Sequence, residues 1–209
     1  GRSGGYAGGA IWLGDGSSAQ IDASTFTGNV AYSGGAVFLQ DAASATLRDV
    51  RFEDNAGDTY GGAIHASDGA EVDCDGCIFT SNGAESGGAV YVATGSTFAD
   101  VDGTWTDNEA SGSGGAIAMA GSADLVLDAS VFSGNGADSD GGAVYGAGDI
   151  EAADVSFTNN VARAGDGGAI GGDADLEVDG GTFDGNDARL GNGGAIGVEG
   201  DAQISGGRF

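Results

Sequence analysis

The chain has 209 residues, of which 45 are glycine and none is proline. Glycine is about three times its usual ~7% share, yet without a Gly-X-Y period or proline a collagen helix is excluded. Six arginines and no lysine face 32 Asp and Glu, a net charge of −26, which repels phosphate backbones and anionic headgroups and argues against nucleic acid as a partner. Apolar residues form 40% of the chain and recur regularly, which argues against disorder. None of their runs approaches the ~20 residues of a membrane helix, so no membrane insertion is expected. A start at Gly1 without an initiator Met reads as a processed or excised piece of something longer.

Self-similarity is the main signal. A Gly-Gly-Ala-Ile/Val block starts at Gly8, Gly34, Gly61, Gly87, Gly114, Gly141, Gly167 and Gly193, in steps of 26 or 27 residues. In each copy the Ile or Val is followed two residues later by Leu13, Leu39, Ala66, Val92, Met119, Gly146, Gly172 or Val198, the period of a short half-buried strand. A second alternating stretch follows, with inward positions such as Ala45 and Leu47, Val72 and Cys74, or Leu125 and Leu127, and one exception at Asp100. The third element carries an aromatic: Phe26, Phe52, Phe79, Trp105, Phe132, Phe157, Phe183 and Phe209. Three residues beyond the first seven of these stand Asn29, Asn55, Asn82, Asn108, Asn135, Asn160 and Asn186.

Glycine interrupts every stretch before a helix could form. Three short strands and tight corners in about 26 residues make one coil of an all-β, single-stranded parallel β-helix, with about eight coils in all. Equivalent residues then stack at ~4.8 Å. The aromatics form an interior pile and the asparagines a corner ladder whose amides bond along the axis. The residue before each Asn (Gly28, Asp54, Ser81, Asp107, Gly134, Asn159, Gly185) is mostly of a type that tolerates the left-handed region. The whole chain reads as one solenoid segment, 1–209.

These paired Gly-Gly-Ala-Ile and Phe-x-x-Asn repeats resemble the passenger repeats of chlamydial polymorphic outer-membrane proteins, and those of large bacterial surface proteins with pectin-lyase-like domains. The resemblance implies a right-handed coil and an exported, surface-displayed adhesive or structural rod, hence an extracellular or cell-surface location in a bacterium. It does not extend to a C-terminal membrane barrel.

Four candidate features follow. Pectate lyases and polygalacturonases share the β-helix, and their chemistry uses clustered Asp with Arg, Lys or His. Here there is one histidine, His65, and arginine only at Arg2, Arg48, Arg51, Arg163, Arg189 and Arg208. Among 32 acids some pair always has a suitable spacing, so no catalytic residue is expected; a carbohydrate-binding or carbohydrate-active β-helix is the alternative function. Acidic columns are the second feature: Asp124, Asp149, Asp175 and Asp201, with Glu151 and Glu177 on the same outward side. Stacked charges at that spacing repel by about 0.9 kcal/mol in water, and Ca²⁺ is the one candidate ligand; a solvated acidic face is the simpler reading, and no other cofactor is expected.

The third feature is a column of Trp12, Phe38, His65, Tyr91 and Tyr145, whose parity places it outside the coil. Its expected uses are lateral contact with another protein segment, ladder stabilisation, or glycan binding. The fourth is Cys74-Asp75-Gly76-Cys77, expected to be a local disulfide in an oxidising exterior, with two buried thiols as the alternative. Neither end carries a recognisable cap: a short loop, Gly1 to Gly8, leads in, and the chain stops on Phe209. The expected partners are therefore further coils, either of the same longer chain or of a second copy stacked end to end.

Overall fold

The computed structural model describes residues 8–209. The leading loop, apart from Gly8 and with Arg2 in it, lies outside the described residues. The described chain is all β, with no helix, and winds into eight stacked coils whose strands pair in parallel with their counterparts one coil away.

Each full coil contributes four strands, not three. The first sheet runs from Ile11–Leu13 to Ile196–Val198 and the second from Ser18–Asp22 to Ala202–Ser205, with eight strands each. The third, holding the aromatics, runs from Thr25–Thr27 to Thr182–Asp184, and the fourth from Val30–Ser33 to Asp187–Ala188, with seven each. The fourth strand shrinks to two residues from Gly83–Ala84 onward. Two residues cannot display alternation, which is why the pattern leaves this strand unannounced.

Length changes are absorbed at two connections: five residues, 85–89, lead from the fourth sheet to the first in one coil and seven, 163–169, in a later one, and the corner between the first and second sheets varies as well. Four residues, 40–43, join the first and second sheets in the second coil, but only two, 147–148, do so in the sixth. The landmark residues keep their register across that change: Phe132 still opposes Phe157. All eight aromatic rings form one pile, with centroids 3.9–5.4 Å apart and planes within 14° of parallel. Phe52, Phe79, Trp105, Phe132 and Phe157 are fully buried. Rings stacked coil on coil supply both area and directional contact, about 0.5–1.5 kcal/mol per pair beyond burial.

The corner after each aromatic is built by the asparagines. Asn82 donates from its backbone N–H and from Nδ2 to Asn108 Oδ1, both at 3.0 Å, and from Nδ2 to the Phe52 carbonyl at 3.0 Å. The same set recurs up the column as far as Asn186. Asn55 to Asn160 are buried, so each amide satisfies backbone groups that the turn takes out of the ladder. The residue before each Asn has φ between 53° and 67°, the left-handed conformation expected there.

The Gly-Gly pair is a close approach. A Cβ on Gly88 would collide with the Gly115 carbonyl of the next coil and lie 2.7 Å from the Glu109 nitrogen. The alanine after each pair, from Ala36 to Ala169, is fully buried.

Candidate functional surfaces along the rod

A solenoid presents its sheets as separate faces, so function is sought in columns. On the second sheet Asp124, Asp149 and Asp175 oppose one another in register, as do Glu151 and Glu177. The Asp201 backbone N–H donates to Asp175 Oδ1 at 2.9 Å. Asp149, Glu151, Asp175, Glu177 and Asp201 line a shallow, open groove. Ca²⁺ needs six to eight oxygens closing around it. Among the described residues no group of three or more His, Cys, Asp or Glu could hold a metal ion.

The outward column of the first sheet keeps its predicted parity and register, Trp12 to Phe38 to His65 to Tyr91. It is not an exposed stripe along its length. Trp12 is 53% exposed, but Phe38 and His65 are 8% exposed, and Tyr91 and Tyr145 are half-buried. The chain arriving at the Gly-Gly pairs crosses this face: a Cβ on Gly171 would run into the Asp166 carbonyl and the Gly141 nitrogen, and Ala118 is wholly buried. Tyr60, not anticipated from the column pattern, completes the cover with its ring 4.3 Å from Tyr91 and 5.5 Å from His65. Phe38 and Tyr91 meet His65 edge-on at 4.9 and 5.1 Å. Burial lowers the His65 pKa to about 4, so the imidazole is neutral at ordinary pH, and its Nδ1 has no hydrogen-bond partner.

The two cysteines are buried free thiols, not a disulfide. They flank a tight turn at Gly76, φ 64°, and both point into the core; Cys77 Sγ lies 3.8 Å from the Leu47 carbonyl. Burial, then the contact with Cys77 and the charge of Asp100, pushes the Cys74 thiol well above its usual pKa, which removes the thiolate that redox chemistry needs.

Among the described residues Asp100 is the one charged side chain in the interior, with no exposure. Its Oδ2 accepts from Trp105 Nε1 and Ser130 Oγ, both at 2.8 Å, while Oδ1 has no partner. Burial raises its pKa to about 6, opposed by those two hydrogen bonds and assisted by Asp102. This explains the single Trp in the aromatic pile: it brings an N–H that phenylalanine lacks. The joint departure of Asp100 and Trp105 from their columns within one coil was the signal, and Ser130 in the next coil had none. A lone, enclosed carboxylate has no access to a substrate.

The geometry defines a class: a right-handed parallel β-helix repeat protein. Residues 3–106 match the right-handed beta helix region. Residues 129–147 and 154–173 match the Chlamydia polymorphic membrane protein repeat. The earlier coils are thus similar to right-handed β-helix proteins, and parts of the later coils are similar to polymorphic membrane protein repeats. Neither the curated proteins nor the solved structures yield a significant match.

Proposed function

We propose that the chain is a rod segment of an exported bacterial surface protein with a structural or adhesive role, extended axially by further coils of the same chain or of a second copy. The observation that carries this reading is the continuity of its ladders. The asparagine bonds and the aromatic pile repeat unchanged along the axis, so any added coil of the same type would be held by the same contacts. A net charge of −26 opposes sideways clumping and leaves growth along the axis as the favoured mode.

Negative-stain electron microscopy of the purified segment at moderate salt tests it. Eight coils at ~4.8 Å amount to about 38 Å. Threads many times that length, growing with concentration, are expected; compact particles of unit length at every concentration would count against axial assembly.

A further inference from the structure

The third sheet differs from the rest of the surface in its chemistry. Of the eleven threonines in the chain, seven flank the buried aromatics of this sheet. Four consecutive strands, Ile78–Thr80, Thr104–Thr106, Val131–Ser133 and Ser156–Thr158, turn only hydroxyls and methyls outward and carry no charge. In the adjoining second sheet the strands Asp124–Asp128, Asp149–Ala153 and Asp175–Asp179 each turn at least two acids outward. Strand propensity accounts for threonine in general but not for its segregation, since the longer strands of the second sheet expose only Thr46 and Thr97.

We infer that this face adsorbs to ordered water, the prism face of ice. Its outward side chains sit at the corners of a rectangular net, ~4.8 Å between strands and ~6.7 Å between alternate residues of a strand, close to the oxygen repeat on that ice face. Strand-to-strand register is unbroken from Phe26 to Phe183, so the net persists over several repeats. Threonine is stiff at χ1, which holds hydroxyl and methyl at fixed positions, and the hydroxyls also meet one another, Thr182 Oγ1 lying 3.1 Å from Ser156 Oγ.

Other occupants fit less well. An ionic ligand finds no charge on these four strands. A protein partner finds too little surface: seven strands of three residues present about 300 Å², against the ~800 Å² per partner of a stable interface. The inference rests on the reading of the chain as an exposed rod and names what that rod adheres to.

The test uses fluorescently labelled protein and a single ice crystal grown slowly from its solution. Incorporation into the ice is expected for the unaltered chain. The double variant Thr104→Lys, Thr158→Lys is expected to lose it at least tenfold. Val126→Lys, on the outer face of the second sheet and 43% exposed in the unaltered chain, is expected to keep it. All three should melt alike, and electron microscopy should show the same rods, so a failure of adsorption is separable from a failure of the rod itself. Exclusion of the unaltered chain from ice would overturn the inference. Equal incorporation of all three proteins would also overturn it. So would either dimerisation or binding to powdered crystalline polysaccharide that the Thr104, Thr158 variant alone loses, since each assigns the face to a different occupant.

Discussion

Replacing Asp100 by asparagine isolates the cost of holding a carboxylate inside the coil. The side chain is wholly buried, and its pKa rises from 3.8 to about 6. In the folded state the neutral acid is therefore favoured more than in the unfolded state. Its contribution to stability is fully present below pH 3.8 and is lost as pH rises through about 6. At ~1.4 kcal/mol per tenfold change in affinity for the proton, the full effect is about 3 kcal/mol, or roughly 6–12 °C in melting temperature for a chain of this length. Asp100→Asn keeps an oxygen for Trp105 and Ser130 and has no charge to bury. Urea or thermal unfolding of both proteins, followed by circular dichroism from pH 3.5 to pH 8, provides the comparison. The buried amide adds an offset that does not vary with pH, so the change in the gap is what matters. The variant should gain on the unaltered chain by about 3 kcal/mol across that range, most of it between pH 4 and pH 7. A gap that stays constant, or one that moves the other way, would refute the assignment of Asp100 as an uncompensated buried acid.

Asn108→Ala should cost about 3–5 kcal/mol in the same assay, because it strands the Asn82 N–H and the Phe79 carbonyl, each worth roughly 1–3 kcal/mol when buried unpaired. Gly88→Ala should cost about 3 kcal/mol through its collision with the next coil. Gly69→Ala, at φ 77° with nothing within 4 Å, should cost only ~1–2 kcal/mol of backbone strain. Exchanging sodium chloride for calcium chloride at equal ionic strength should leave the melting temperature unchanged, since among the described residues no group of three or more acids is placed to hold a metal ion; a selective rise with calcium would show a site along the acidic columns. A thiol reagent should find no reactive cysteine in the folded protein and two per chain after denaturation, and a reductant should not shift the melting curve.

The architecture was legible because a solenoid repeats its local code. Gly-Gly-Ala-Ile and Phe-x-x-Asn recur in steps of 26 or 27 residues, and parallel stacking converts that recurrence directly into columns. The order of the strands, the aromatic pile and the axial asparagine bonds all follow from placing like residues over like. What escaped depended on how the coil folds over itself. The exposure of Phe38 and His65 was misjudged because parity states only which side of a sheet a residue occupies, not what lies across that side; the incoming loop and Tyr60 close it. The fourth strand was too short to have a period. The thiol state of Cys74 and Cys77 and the partners of Asp100 are matters of distance between side chains, in the same coil for Trp105 and one coil on for Ser130, which spacing along the chain does not encode. Periodicity thus dictated the coil and its register, while lateral cover and side-chain direction, set by contacts between segments remote in the chain, decided which columns meet water.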